Sequence, residues 1–199
     1  MFKLEPIVDA SFNIWGYEAL LSLDIPNPYI FAVPNPVLEL YILDQFVHNY
    51  SRQLEKNRFT FNLSVFAIVI GSLNLKKLLS KYPNLYIEIT EHALLLPPSR
   101  ITSQNEWFQI LANLMQDFPK RFLLDDYMEG KTFSLYQTLK EYWFAVKISI
   151  QILNQINSLS LNNTLIIAEK VETEEDFLTV RNKANLFQGF YFKNKTEVL

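Results

Sequence analysis

Phe122-Leu123-Leu124-Asp125-Asp126-Tyr127 decides how this chain is read: an apolar run ends abruptly in two adjacent carboxylates. Carboxylates are costly to bury without compensation, and neighbouring ones repel. Two readings are open. A strand can end at a solvated turn, where Asp is common. The same run can end at the mouth of a barrel, where one Asp bridges two divalent ions.

Composition narrows the field. With 199 residues, the chain is long enough for one domain with a substantial core, expected to span 1–199. Its 49% hydrophobic and 15% aromatic content excludes a disordered chain. A net charge of -3 gives no general attraction to DNA or to an anionic membrane, and Lys76-Lys77 with Lys81 reads as a solvated helix face. No apolar run approaches the roughly 18 residues that cross a bilayer. The absence of Cys excludes disulfides and thiolate metal sites. Met1-Phe2-Lys3-Leu4-Glu5-Pro6 lacks the apolar core of a signal peptide, so a cytoplasmic location is expected. No GxGxxG or GxxxxGK pattern occurs, which argues against a glycine-cradled phosphate site.

Working outward, short apolar runs alternate with helical periodicity. Leu4–Asp9 and Ile14–Leu21 read as a strand pair. Further strands are predicted at Phe59–Leu63, Leu85–Ile89, Arg121–Asp125, Phe144–Ile148, Thr164–Ala168 and Leu186–Phe192. Between them the spacing predicts helices over Pro36–Lys56, around Leu73–Lys81, and over Gln104–Phe118, Thr132–Lys140, Ser149–Asn157 and Glu174–Asn182. Pro36 suits a first helical turn and Ser103 a cap. The stretch 24–35, rich in Pro and Asn, reads as loop.

Strands alternating with helices argue a parallel sheet, and this many strands argue a closed α/β barrel with its site at the C-terminal strand ends. At or near those ends stand Asn62, Glu88, Asp125, Asp126, Lys147, Glu169 and Gln188. One polar residue there means little, but this convergence reads as a site. Oxygen donors plus one ammonium, without His or Cys, form the ligand set of a hard cation such as Mg²⁺ or Mn²⁺. His48 and His92 form no metal pair, and Trp15, Trp107 and Trp143 read as packing aromatics.

The motifs, taken in order, resemble the EAL domain, a bacterial phosphodiesterase module that linearises cyclic di-GMP. They are Tyr17-Glu18-Ala19-Leu20-Leu21, Asn62-Leu63-Ser64, Glu88-Ile89-Thr90-Glu91, Asp125-Asp126-Tyr127, Lys147-Ile148, Ala168-Glu169-Lys170-Val171-Glu172-Thr173 and Gln188-Gly189. The resemblance implies a TIM-like barrel whose first strand is antiparallel to the others. It also implies that Glu18, Asn62, Glu88 and Asp125 hold one Mg²⁺ or Mn²⁺, and that Asp125 bridges to a second with Asp126. Lys147 and Glu169 would position and deprotonate the attacking water. Leu21, Glu172 and Gln188 would complete the substrate-binding rim, Glu91 would anchor the following loop, and the product would be linear pGpG.

Departures from the family pattern point to a second reading, an inactive receptor for cyclic di-GMP or a protein-binding regulator. Ser22 stands where family members that hydrolyse usually carry Arg, Glu5 where Gln precedes Pro-Ile-Val, and Ser149 where a carboxylate follows Lys-Ile. Met128, Glu129 and Lys131 alter the loop that in the family couples homodimerisation to metal binding, and Lys170 replaces a Gly. The segment Ser149–Thr164 is short for the family, which is expected to bare barrel wall for a protein partner.

Overall fold

Residues i and i+2 of a strand share a face. Leu123 is therefore on the face of Asp125, Ala145 on that of Lys147, Ile167 on that of Glu169, and Leu186 on that of Gln188. In the structure, a computed structural model, the first residue of each pair joins Ile7 in one buried cluster that fills the barrel. The described residues are 2–22, 35–90, 104–127, 132–156, 159, 161, 163–193 and 195.

Strands β1 (Phe2–Val8), β2 (Ile14–Leu21), β3 (Phe59–Leu63), β4 (Leu85–Ile89), β5 (Phe122–Leu124), β6 (Trp143–Ser149), β7 (Leu165–Glu169) and β8 (Leu186–Gln188) close a barrel in chain order. β1 is antiparallel to β2 and β8, and the other neighbours are parallel. An antiparallel pair needs only a tight turn. The Asp9 carboxylate builds it by accepting from the backbone N–H groups of Ser11 and Asn13. Register shifts at Ile7/Val8 and Phe122/Leu123 lie opposite Trp15 and Phe144. Such bulges re-aim side chains. Trp15 stacks on Phe144 at 4.9 Å, and Tyr86 packs against both rings, plugging the end of the barrel away from the polar residues.

The described helices lie outside, on an apolar layer that includes Leu124, Val146, Ile148, Ala168 and Phe187. They are α1 (Pro36–Leu54), α2 (Val65–Ile70), α3 (Ser72–Lys81), α4 (Gln104–Asp117), α5 (Thr132–Leu139), α6 (Ile150–Gln155), α7 (Glu174–Val180) and α8 (Phe190–Lys193). In α1, Asn35 caps Leu38 N and Pro36 opens the first turn, while Ile42, Leu43, Phe46 and Val47 face the barrel. Val37 and Tyr41, apolar residues of the same helix, point to solvent. In α4, Leu111, Leu114 and Met115 are buried, and Trp107 packs edge-on to Phe66 at 4.5 Å. Among the described residues no helix is long and apolar enough to cross a membrane.

Two sequence expectations need correction. The last strand stops at Gln188 instead of Phe192, because Gly189 sits at φ +151 and a Cβ there would meet the Val171 backbone at 2.3 Å. The chain turns there into α8, which buries Phe192. The run Val65–Ile70, read as no element, is a helix capped by Ser64. Behind the short α6, Leu159 and Leu161 pack partly buried against the core, beside a groove of about 530 Å³ lined also by Asn163, Thr164 and Lys183. The barrel wall there is only partly bare.

Candidate functional site

Strand geometry aims one polar group inward from the C-terminal end of each of several strands, one step above the apolar plug. At their centre is Lys147, on β6, with 2% of its side chain exposed. Its Nζ lies 3.0 Å from Glu18 Oε2, 2.7 Å from Glu88 Oε1 and 2.9 Å from Glu169 Oε1. Asn62 Nδ2 donates to Glu18 Oε1 at 2.9 Å, and Gln188 Nε2 donates to Glu18 Oε2. Six predicted residues from β2, β3, β4, β6, β7 and β8 thus form one bonded network. Asp125 and Asp126 follow β5, and one oxygen of each lies within 4.8 Å of an oxygen of Glu169. The backbone fixes this pair: Asp125 N donates to Ile89 O at 3.0 Å and Tyr127 N to Lys147 O at 2.9 Å. Asp126 adopts φ +42, a left-handed geometry that Asp tolerates.

The charges strongly affect one another. Burial drives Glu88 well above the ordinary carboxylate range, and the neighbouring Glu18 charge adds to this against the pull of Lys147. Burial raises Asp125 to about 6, with Asp126 and Glu18 adding to it and Lys147 opposing. Glu169 is also raised to about 6 by burial, with Asp125 and Glu18 adding to it and Lys147 opposing. Glu18 differs: burial pushes it up, but the Lys147 charge and hydrogen bonds from Gln188, Lys147 and Asn62 bring it below its usual value. Burial alone would deprotonate Lys147, yet Glu169, Glu18, Glu88 and Asp125 together hold its ammonium well above the ordinary lysine range.

A hard cation fits this donor set. Asn62 Oδ1, Glu88 Oε2 and Gln188 Oε1 are buried acceptor atoms without a hydrogen-bond partner. Buried polar atoms ordinarily find partners. Oxygen acceptors left over beside a surplus of carboxylates are what a divalent ion such as Mg²⁺ or Mn²⁺ requires.

The other predicted residues lie apart from the network. Glu172 is exposed, and its backbone N–H donates to Asp176 Oδ2 beside the Thr173–Asp176 capping box of α7. Leu21 ends β2, paired with Phe2 and packed against the core. Glu91 and the altered loop at 128–131 lie outside the described residues, as does His92. Ser149 is buried and directly opposite Glu169 in the ladder. Lys170 holds φ +61, the geometry for which the family pattern carries Gly.

One supporting contact escaped sequence reading. Buried Glu39 of α1 accepts from Ser64 N at 2.7 Å and from Ser64 Oγ at 3.0 Å, clamping the chain just after Asn62. Its only signal was a carboxylate within an apolar helical stretch.

No family profile and no curated protein sequence matches the chain. Solved structures do. Klebsiella pneumoniae BlrP1, in a calcium/cy-diGMP complex, is 20% identical with a TM-score of 0.69 over 95% of this chain and 54% of its own. Bacillus subtilis YkuI, with an EAL domain and in complex with substrate c-di-GMP and calcium, is 17% identical, with a TM-score of 0.72 over 100% of this chain and 55% of its own. The EAL domain of Mycobacterium smegmatis DcpA is 19% identical, with a TM-score of 0.69 over 97% of this chain and 91% of its own. The chain spans about half the length of the first two proteins. At these identities the likeness is one of architecture, and it is close: this chain has the EAL-domain fold.

Proposed function

We propose that this chain is a phosphodiesterase that hydrolyses cyclic di-GMP to linear pGpG with divalent cations. The observation that carries the reading is the meeting of Glu18, Glu88 and Glu169 on the Lys147 ammonium, within 3.0 Å, beside the Asp125–Asp126 pair. A packing role alone would not require so many buried carboxylates, each costly to desolvate.

Glu18, Asn62, Glu88 and Asp125 would hold one Mg²⁺ or Mn²⁺, and Asp125 with Asp126 a second. When bound, the pair would lower the pKa of a shared water and offset charge growing on the phosphoryl and leaving oxygens. Glu169 is the base. Its carboxylate stands at the end of β7 beside Asp125 and Asp126, where the attacking water would lie. With Oε1 paired to Lys147, Oε2 is the oxygen that takes the proton from the attacking water. Lys147 fixes the orientation of Glu169 and keeps its charge through the reaction. Gln188 and Asn62 hold Glu18 from either side, so its carboxylate cannot rotate. Leu21 and Glu172 would complete the rim against the nucleotide.

Ser149 favours a second reading, a receptor without turnover, since a hydroxyl opposite Glu169 replaces a carboxylate. Incubating the purified protein with cyclic di-GMP and excess Mn²⁺ or Mg²⁺, and resolving products by chromatography, separates the two. Metal-dependent pGpG that vanishes in Glu18→Ala supports the phosphodiesterase. Bound but intact nucleotide makes the chain a receptor, and neither product nor binding rejects both readings.

A further inference from the structure

A buried cluster of carboxylates needs positive charge close by, whatever its function. Among the described residues, the cation ion-paired to Glu18, Glu88 and Glu169 is Lys147. Glu18 and Glu88 are also residues that would hold the first divalent ion. We infer that Lys147 is the resident cation of these deep carboxylates when the protein is metal-free, and that a divalent ion enters by taking Glu18 and Glu88 from its ammonium. The inference rests on the metal-dependent reading above and adds to it an exchange of partners.

Geometry carries the point. A carboxylate oxygen 2.7 Å from an ammonium, as Glu88 Oε1 is, is committed to a strong charge-assisted bond. The second oxygen, Glu88 Oε2, is buried without a partner, as is Asn62 Oδ1. The ammonium reaches one oxygen of Glu88, and the acceptor oxygens it does not reach, Glu88 Oε2 and Asn62 Oδ1, are ones a divalent ion would take. Lys147 also suits a return path. Its bond to Glu169, 2.9 Å long, is to the residue that would remove the proton from water. An ammonium released from Glu18 and Glu88 remains tethered there, oriented towards the base. The long, flexible lysine stem gives the reach for such a swing.

This arrangement makes Lys147 a competitor for the divalent ion as well as a partner in the proposed reaction. Placing a dication beside a lysine ammonium is electrostatically unfavourable, so removing the ammonium should strengthen metal binding even as it weakens the metal-free fold.

The test uses Mn²⁺ alone, with no nucleotide. Free Mn²⁺ is followed by electron paramagnetic resonance during titration of metal-free wild-type protein and of Lys147→Met. The variant is expected to bind at least about tenfold more tightly, to melt lower without metal, and to gain more in Tm from Mn²⁺. Equal or weaker binding by a folded Lys147→Met overturns the inference, because Lys147 then holds the ligands open for the ion instead of standing in its place. Absence of Mn²⁺ binding by both proteins overturns it too. Should Lys147→Met not fold without metal, the wild type supplies the answer. In ¹⁵N-lysine-labelled protein the Lys147 ammonium resonance is expected to be protected from exchange and to shift as Mg²⁺ is added. A resonance unmoved at saturating Mg²⁺ overturns the inference. Turnover is not read in either experiment. Product formation without tighter Mn²⁺ binding by the variant removes this inference alone, whereas the expected metal exchange without product removes only the phosphodiesterase reading.

Discussion

Lys170 shows most plainly what one residue costs and what it can reveal. A lysine at φ +61 sits in a region that L-residues with a Cβ avoid by about 1–2 kcal/mol. Lys170→Gly removes that strain but adds entropy to the unfolded chain. Chemical denaturation should therefore show a net gain of roughly 0.5–1 kcal/mol, while Lys170→Ala should show none. A loss on Lys170→Gly would mean the lysine side chain makes a contact worth more than its strain. Ser149 makes the complementary case. It stands opposite Glu169, where a carboxylate would lie beside the proposed second ion. Ser149→Asp should raise metal-dependent turnover roughly 10- to 100-fold, the usual worth of a group that supports a metal site. A fall in initial rate would place the added charge against Glu169 instead.

At the scale of elements, the strands were legible because they are short apolar runs, most with a polar residue at or near the C-terminal end. Leu123 with Asp125 and Ala145 with Lys147 mark both the barrel interior and the start of the site. The ends of elements were less legible. Leu186–Phe192 looks like one apolar strand, and only the φ +151 of Gly189 breaks it. Val65–Ile70 is so apolar that periodicity cannot separate helix from strand, and the cap at Ser64 decides it. That cap is also the foot of the Glu39 clamp, which joins α1 to the end of β3. Ser64→Ala should cost about 1–2 kcal/mol through the lost cap and clamp bonds. Glu39→Ala should cost about 1–3 kcal/mol by leaving the Ser64 donors unpaired. In a thermal or urea double-mutant cycle the two changes should be partly sub-additive, since both remove the Ser64 Oγ–Glu39 Oε1 bond, while the cap on Ala67 N is lost only with Ser64 and the Ser64 N–Glu39 Oε2 bond only with Glu39. Additive losses would show that Glu39 and Ser64 act independently.

Across the whole molecule the site is a joint of the barrel, tying β2, β4, β6 and β7 through one ammonium, with β3 and β8 joined through Glu18. Residue identity alone revealed which groups reach the rim, but not that Lys147 would bond Glu18, Glu88 and Glu169 together, because those pairings cross up to 129 positions of sequence. The same joint sets a pH dependence. Asp125 and Glu169 titrate at about 6 in the folded chain, against ordinary values of 3.8 and 4.5. The native state therefore holds protons that the unfolded chain has already released. Their contribution is fully present below about pH 4 and is lost as pH rises through about 6. Glu18 is shifted the other way, so its contribution is present above its ordinary 4.5 and is lost only as pH falls below that value. Metal-free protein should thus melt a few degrees lower at about pH 6.5 than at about pH 4.5. Mg²⁺ should restore more of the loss at the higher pH, and a flat or rising melting profile would contradict the charge assignment.

The most direct measurement is anomalous diffraction at the manganese edge from crystals grown with Mn²⁺. A peak bonded by oxygens of Glu18, Asn62, Glu88 and Asp125, with Lys147 moved off Glu18 and Glu88, is the predicted result. No peak at these oxygens, with Lys147 still joined to Glu18 and Glu88 at saturating Mn²⁺, would contradict the metal-dependent account.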